Sequence, residues 1–196
     1  MGFTLPNLVT IARMVLVPPF IMLVVSNRPG WALAVFATAG ISDALDGFVA
    51  RRFGQRSELG AFLDPVADKL LVTAALVVLS IPDHPASFPH FVLLNRFPIL
   101  LTILTISRDV FIVLIALVIH LATGLTRFPP TVCGKITTVV QVVTVCVILL
   151  YNHLQIRSTA VVPGLVYLTL AVTLLSGFHY ILHGARLAGS APDAGR

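Results

Sequence analysis

The sequence has few charged residues. Lysine, arginine, aspartate and glutamate together make up 11% of its 196 residues, whereas hydrophobic residues make up 57%. The mean hydropathy is +0.98. Because about a quarter of the residues of a typical soluble domain are charged, this composition excludes an ordinary soluble protein. It favours a polytopic membrane protein, and the length suits one domain.

The sequence also has little cysteine, and its first residues lack the pattern of a secretory leader. Its two cysteines, Cys133 and Cys146, lack metal-site spacing and lie in or near an apolar stretch, so we expect packed thiols. The first 18 residues contain neither a basic leader nor a small-residue cleavage site, so we expect them to start the first helix. No internal repeat and no low-complexity segment is present.

Acidic residues are scarcer than basic ones, with eight against 13 and a formal net charge of +5. Four of the eight acidic residues are the aspartates Asp43, Asp46, Asp64 and Asp68 of one cluster, so the remaining surface is more basic than the net charge suggests. In a membrane protein this favours contact with anionic lipid headgroups on the cytoplasmic side over contact with nucleic acid.

Six apolar stretches predict six helices. We expect them at residues 8–25, 31–41 with a continuation to the basic residues 51–54, 59–81, 98–122, 132–152 and 160–187. The sequence therefore predicts an all-α integral membrane protein, a bundle of about six transmembrane helices. One transmembrane domain would cover residues 1–187, and a short disordered tail would cover 188–196.

The distribution of basic residues predicts which side of the membrane the termini occupy. Six crossings place both termini on one side, which would hold Arg13, Arg51, Arg52, Arg56, Arg127, Lys135, Arg186 and Arg196. The other side would hold only Arg28, Arg96 and Arg157. By the positive-inside rule the termini are cytoplasmic, and a polar site between the second and third helices faces the cytoplasm.

The acidic cluster is the clearest candidate for chemistry. Asp43 and Asp46 are three residues apart, and Asp64 and Asp68 are four apart, so each pair lies on one helix face. The two predicted helices are joined by a short link and run antiparallel, which brings both pairs to a similar depth. Four unpaired aspartates in a membrane would cost on the order of 10 kcal/mol, so a cation is the expected partner. Carboxylates suit Mg²⁺ or Mn²⁺, and four of them suggest a two-metal site.

Small residues and one arginine accompany these aspartates. Gly47 follows Asp46, and Gly60 lies one turn before Asp64, which leaves room for a ligand or another backbone. Arg51 lies on the face of Gly47, where it could neutralise a metal-bound phosphate. The alternatives are simple helix packing by the small residues, an Asp43–Arg51 ion pair, and an ion or proton pathway in a small transporter.

This pattern resembles the signature of the CDP-alcohol phosphatidyltransferase family in every fixed position: Asp43-x-x-Asp46-Gly47-x-x-Ala50-Arg51, then Gly60-x-x-x-Asp64-x-x-x-Asp68. The segment Pro6-Asn7-Leu8-x-Thr10-x-x-Arg13 also resembles the family's N-terminal segment, so the resemblance covers most of the chain.

The resemblance implies a role for each signature residue. The four aspartates would hold two divalent cations, Mg²⁺ or Mn²⁺, against the pyrophosphate of CDP-diacylglycerol, whose phosphatidyl group passes to an alcohol as CMP leaves. Asp68 would also be the general base on the acceptor hydroxyl. Gly47, Ala50 and Gly60 would line the nucleotide pocket, and Arg51 would contact the CDP moiety.

Three further segments resemble the branch of the family with glycerol-type acceptors: Arg108-Asp109-Val110, Gly134-Lys135-Ile136-Thr137-Thr138-x-x-Gln141 and Ser176-Gly177-x-x-Tyr180. Arg108 and Lys135 are the candidate ligands of the acceptor phosphate. The alternatives are a buried ion pair for Arg108 and a lysine that reaches towards the membrane surface for Lys135.

The acceptor itself is predicted from what these segments lack. Patterns for glycerol 3-phosphate usually have a glutamate where this chain has Asp109, and cations where it has Ala116 and Thr137. Because a phosphodiester carries less charge than a phosphate monoester, we expect phosphatidylglycerol as the acceptor, the reaction of a cardiolipin synthase. Glycerol 3-phosphate is the alternative, followed by inositol or inositol phosphate.

The remaining expectations concern setting and assembly. We expect a multi-pass enzyme of a bacterial inner membrane, with its active site facing the cytoplasm as the basic residues predict, and the resemblance implies a homodimer. The non-enzymatic rival is a small ion-binding transporter. An inactive scaffold of the same family is a third possibility, which the intact signature disfavours.

Overall fold

The fold is seen in a computed structural model that describes the backbone of residues 5–53, 58–82, 91–123 and 132–189. Side-chain surroundings are described for residues 11–42, 69–82, 91–114, 133–178 and 180.

The described residues form six α-helices, which confirms the all-helical prediction. They are α1 (Leu5–Val25), α2 (Pro29–Phe53), α3 (Glu58–Ser80), α4 (Ile99–Thr123), α5 (Val132–His153) and α6 (Val161–Gly189). α6 extends two residues into the predicted tail, and residues 190–196 lie outside the described part of the chain. The tail therefore stays a prediction.

Two helices begin two or more residues earlier than the hydropathy pattern predicts. α1 begins at Leu5, so Pro6 and Asn7 lie in its first turn and not before it. α2 begins at Pro29, where residue 31 was expected. N–H groups in the first turn of a helix have no intrahelical acceptor. Proline, which lacks an N–H, therefore loses no hydrogen bond at such a position.

α1 and α5 hold the bundle together. α1 packs against α2 and α3, α5 packs against α2, α3 and α6, and α4 contacts α3 and α6. In the core Phe20 of α1 meets Phe36 of α2 with ring centroids 5.7 Å apart and the planes tilted by 44°. Because α2 and α3 share two neighbours, the space enclosed by α1, α2, α3 and α5 can hold a site built from all four helices.

A buried amide network closes the end of the bundle that lies away from the aspartates. The side-chain amide of Asn152 donates to the carbonyl of Asn95 at 2.8 Å, and the Asn95 backbone N–H donates to Asn152 Oδ1 at 3.1 Å. The Asn95 amide also donates to the Ile156 carbonyl at 2.7 Å. Since both asparagines are buried, these bonds satisfy groups that water does not reach and fix the segment before α4 to the end of α5.

Two of the described helical segments are long and apolar enough to cross a membrane, Cys133–His153 and Val161–Phe178. Shorter apolar segments occur at Ile11–Val25, Pro29–Ser42 and Lys69–Ser80. Many large apolar side chains on these helices and on α4 are exposed, including Met22, Trp31, Leu100 and Leu175. Such a surface suits an apolar environment better than water.

Candidate functional site

The signature residues fall on α2 and α3, which residues 54–57 join in the sequence. α2 carries Asp43, Asp46, Gly47, Ala50 and Arg51, and α3 carries Gly60, Asp64 and Asp68. The side chains of all eight lie outside the described residues. Their predicted roles as metal ligands, base and CDP-binding residues therefore stay predictions. In the described part of the chain, no group of three or more histidine, cysteine or acidic side chains could hold a metal ion.

A cavity of about 110 Å³ lies next to the predicted aspartate site. It is enclosed by residues of four helices, namely Arg13, Phe36, Gly40, Leu71, Val72, Thr138 and Val142. Gly40 precedes Asp43 by three residues, and Val72 follows Asp68 by four, so each lies one helical turn from a signature aspartate. The cavity thus marks where α2 and α3 face the same space.

Two residues give this cavity its character. A Cβ added at Gly40 would meet no atom within 4 Å, so the wall is open at that position. Arg13, by contrast, is 5% exposed although it lies on an otherwise apolar helix. A buried arginine in such a helix marks a polar interior site. The sequence analysis placed Arg13 in the N-terminal family segment and did not predict that it lines a cavity. The signal for a functional role was that Arg13 is the one charged residue in the apolar stretch 8–25.

An ionic group joins α3 to α4 beside this site. Lys69, which directly follows Asp68, places Nζ 2.7 Å from Asp109 Oδ2. The other carboxylate oxygen of Asp109 accepts a hydrogen bond from the Arg108 guanidinium at 2.6 Å. One carboxylate therefore bridges two cations, one from each helix. The sequence analysis assigned no role to Lys69. Its position directly after Asp68 was the available signal that it lies near the site.

Arg108 also joins α4 to α6. Its second terminal nitrogen donates to Ser176 Oγ, and its guanidinium carbon lies 5.9 Å from the centre of the Tyr180 ring. The side chain is 7% exposed, and Nε has no hydrogen-bond partner among the described residues. Arg108 thus forms a buried ion pair, which was one of the two expected alternatives. Its role in binding the acceptor phosphate stays a prediction.

Lys135 occupies a different setting from Arg108. It is exposed in the first turn of α5, whereas Arg108 is buried between α4 and α6. Two residues along α5, Thr137 is fully buried and its hydroxyl donates to the Cys133 carbonyl at 2.8 Å. The Thr137 hydroxyl also lies 3.4 Å from the Val172 carbonyl of α6, so a lysine at position 137 would enter the contact with α6. Lys135 is left as the one predicted cation of this helix, and its acceptor-binding role stays a prediction.

Comparison with known proteins gives the same family as the signature. The family model described as CDP-alcohol phosphatidyltransferase matches residues 3–176. Human "Cardiolipin synthase (CMP-forming)" is 30% identical over 197 aligned residues, covering 91% of this chain and 62% of the human protein. The "Probable phosphatidylglycerophosphate synthase" of Mycobacterium tuberculosis is 31% identical over 193 aligned residues, covering 94% of this chain and 83% of that protein.

A third relative is more similar over a shorter region. The "CDP-diacylglycerol--glycerol-3-phosphate 3-phosphatidyltransferase" of Escherichia coli K12 is 44% identical over 87 aligned residues, covering 43% of this chain and 48% of that protein. The chain thus spans less than two thirds of the human relative and about half of the Escherichia coli one. Since the family model covers both helices of the aspartate signature and most of the remaining bundle, the chain belongs to the CDP-alcohol phosphatidyltransferase family.

Proposed function

We propose that this chain is an integral membrane phosphatidyltransferase that moves the phosphatidyl group of CDP-diacylglycerol to a glycerol-type hydroxyl and releases CMP. The observation that carries the proposal is the family match over residues 3–176, which includes all eight signature positions. The printed names of the relatives support it, because those enzymes are a CMP-forming cardiolipin synthase and transferases of phosphatidyl groups.

The proposed setting is a bacterial inner membrane crossed by all six helices, with the aspartates at its cytoplasmic face. Two long apolar segments and the exposed apolar side chains of the other helices support this placement. The excess of arginine and lysine on the side of the link 54–57 supports the orientation. A homodimer is the proposed assembly.

The proposed catalytic site contains Asp43, Asp46, Asp64 and Asp68. A set of four carboxylates fits two hard divalent cations, Mg²⁺ or Mn²⁺, because both prefer oxygen ligands. Bound there, such cations would offset negative charge on the pyrophosphate oxygens of the donor. The cavity one turn from Asp43 and Asp68 supports the convergence of the two aspartate pairs.

The transfer itself needs a base and a place for the donor. In the proposed step the acceptor oxygen bonds to the phosphorus that carries diacylglycerol, the bond from that phosphorus to the bridging oxygen breaks, and CMP departs with the electron pair. Asp68 takes the proton of the acceptor hydroxyl. Arg51 contacts the CDP moiety, and Gly47, Ala50 and Gly60 leave the room that the nucleotide needs.

The acceptor is proposed to be phosphatidylglycerol, bound through Arg108 and Lys135. Asp109 lies against both Arg108 and Lys69, so part of the positive charge near the acceptor site is already balanced. A phosphodiester with one negative charge suits this balance better than a phosphate monoester with close to two. Glycerol 3-phosphate is the second candidate, and the Mycobacterium tuberculosis and Escherichia coli relatives favour it by name.

The test is an assay of CMP release by the purified protein in detergent, with CDP-diacylglycerol, Mg²⁺ or Mn²⁺ and one acceptor at a time. We expect release that depends on the acceptor and is highest with phosphatidylglycerol. If glycerol 3-phosphate is the one acceptor that gives product, it is the acceptor and phosphatidylglycerol is not. Absence of CMP release with every glycerol or inositol acceptor would contradict the enzyme and leave the ion-binding transporter or the inactive scaffold.

A further inference from the structure

A larger cavity, of about 630 Å³, lies at the end of the bundle opposite the aspartates. It is formed where the turn between α1 and α2 meets the end of α5, and Asn27, Arg28, Trp31, His153 and Gln155 line it. Trp31 and Asp43 are twelve positions apart on α2, which corresponds to a rise of about 18 Å along a helix. The cavity is therefore separate from the proposed catalytic site.

Two helix ends hold the rim of this cavity in place. After α1, Asn27 adopts a left-handed conformation with φ of 55°, and the Arg28 N–H donates to the Leu23 carbonyl at 2.9 Å. After α5, Gln155 does the same with φ of 56°, and the Ile156 N–H donates to the Tyr151 carbonyl at 3.0 Å. Both ends follow the pattern of a Schellman cap.

Gln155 lies on the cavity wall, at a position of the helix cap where glycine is usual. A left-handed backbone costs a residue with a long side chain about 1–2 kcal/mol, and glycine would avoid that cost. The Schellman cap requires a left-handed residue here, so the conformation follows from the way α5 ends. The Gln155 side-chain amide donates to the Asn152 carbonyl at 3.1 Å, which leaves its second N–H and its oxygen for a ligand in the cavity.

One wall of this cavity requires glycine at position 30. A Cβ added at Gly30 would lie 2.5 Å from His153 Nδ1 and 2.8 Å from Cε1. The imidazole therefore packs directly on the Gly30 backbone, and α2 and α5 approach closely at this point. The cavity is built by the packing of two helices and does not depend on a loop alone.

The charge at this end of the bundle selects the kind of ligand. Arg28 lines the cavity and is exposed, and Arg96 and Arg157 belong to the same end. The described loop residues 26–28, 81–82, 91–98 and 154–160 contain no acidic side chain, and Asp83 lies outside the described residues. An anion is therefore the expected ligand, with Arg28 as its counter-ion and the amides of Asn27 and Gln155 as further donors.

We propose that this cavity binds the headgroup of an anionic phospholipid, with the phosphodiester on Arg28 and the glycerol region against Trp31. The volume lies within the range of about 300–1,000 Å³ found for small-ligand sites. Trp31 is 66% exposed at the end of an apolar helix, where tryptophan is enriched because its ring suits the boundary between lipid and water. The inference rests on the proposed membrane placement and is independent of catalysis.

The single tryptophan of the chain makes the site directly observable, because Trp31 itself lines the cavity. The experiment measures quenching of Trp31 fluorescence in detergent micelles by phosphatidylserine with brominated acyl chains, and by brominated phosphatidylcholine. Phosphatidylserine carries a net negative charge and is not a glycerol-type acceptor. No donor or metal is added, so the outcome does not depend on the transferase activity.

We expect phosphatidylserine to quench Trp31 at a lower mole fraction than phosphatidylcholine. Arg28→Gln should raise the required mole fraction of phosphatidylserine about fivefold, since one basic residue near an anionic headgroup contributes about 1 kcal/mol. Arg157→Gln is the matched control, because Arg157 is exposed at the same end but does not line the cavity. Arg28→Lys should retain most of the difference between the two lipids.

Two outcomes would overturn the proposal. One is equal quenching by the two lipids in the unchanged protein, which would mean that Trp31 contacts any lipid without a preference for an anionic headgroup. The other is the same shift for Arg28→Gln and Arg157→Gln, which would mean a diffuse charge effect and no site. If Arg28→Gln fails to fold, Arg28→Met, which also removes the charge, takes its place in the comparison with Arg157→Gln, and the same criterion applies.

Discussion

Asp109 on α4 and Lys69 on α3 form an ion pair with 2.7 Å between Oδ2 and Nζ. Lys69 directly follows the proposed base Asp68, and the other oxygen of Asp109 binds Arg108. This carboxylate therefore connects the signature helix to the arginine that is proposed to bind the acceptor. A change at Asp109 should affect the choice of acceptor more than the binding of the donor.

Replacing Asp109 by asparagine should shift acceptor preference towards glycerol 3-phosphate. The substitution removes the negative charge between Lys69 and Arg108, so a phosphate with a larger charge is bound more favourably. We expect the ratio of kcat/KM for glycerol 3-phosphate to that for phosphatidylglycerol to rise about tenfold, which corresponds to about 1.4 kcal/mol. Asp109→Glu, which keeps the charge, is the control. An unchanged ratio with both variants would show that Asp109 has no part in acceptor selection.

Asp68→Asn should abolish most of the transfer while CDP-diacylglycerol still binds. Loss of a general base lowers the rate by about 10²–10⁴. The measurement is single-turnover CMP release, with donor binding followed separately by equilibrium dialysis of a water-soluble CDP-lipid analogue. Near-normal turnover would remove Asp68 from the role of base, whereas loss of donor binding together with turnover would reduce it to a metal ligand.

Chelation of divalent cations should stop the reaction reversibly. Without cations the four signature carboxylates would repel one another and the donor pyrophosphate, so donor binding should weaken along with turnover. We expect EDTA to abolish CMP release and Mg²⁺ or Mn²⁺ in excess to restore it. The control uses Asp43→Asn, for which restoration should require a higher metal concentration. Turnover that persists in EDTA would contradict the two-metal proposal.

Asn152→Ala should destabilise the bundle without changing the chemistry. The substitution removes the partner of the Asn95 N–H and carbonyl, which are buried. Each buried polar group left unsatisfied costs about 1–3 kcal/mol, so we expect a total loss of about 2–6 kcal/mol for the two groups. The check is a lower thermal unfolding midpoint in detergent at an unchanged KM for the acceptor. The control is Arg157→Ala at the same end of the bundle, where the side chain is exposed, and it should leave the midpoint unchanged. An equal shift for both variants would show that the Asn95–Asn152 hydrogen bonds do not stabilise the bundle.

The predicted helices agree with the observed ones to within a few residues at most ends, because long apolar stretches bounded by proline, glycine and charge define them locally. The exceptions, at Leu5 and Pro29, arise where proline belongs to the first turn of a helix and does not precede it. Spacing alone also indicated that Asp43 and Asp46 share a helix face, as do Asp64 and Asp68.

The contacts of Arg108 could be predicted only in part. Its burial in an ion pair was one of the two expected alternatives, but the pairing with Ser176 and Tyr180 depends on how α6 is rotated against α4. Likewise, Lys69 was adjacent to the signature in sequence, yet its direction towards Asp109 depends on the packing of α3 against α4. These rotations are set by side chains far apart in sequence.

The sequence by itself determined the helices, the spacing of the aspartates and the family, because each of these depends on residues within a few turns of one another or on a fixed pattern along the chain. Only the tertiary structure decided that Asp109 bridges Lys69 and Arg108, that Arg13 lines a cavity next to the aspartates, and that Arg28, Trp31 and His153 surround a second cavity at the opposite end. The physical reason is that a contact between helices depends on their relative rotation and depth, which the packing of the whole bundle fixes.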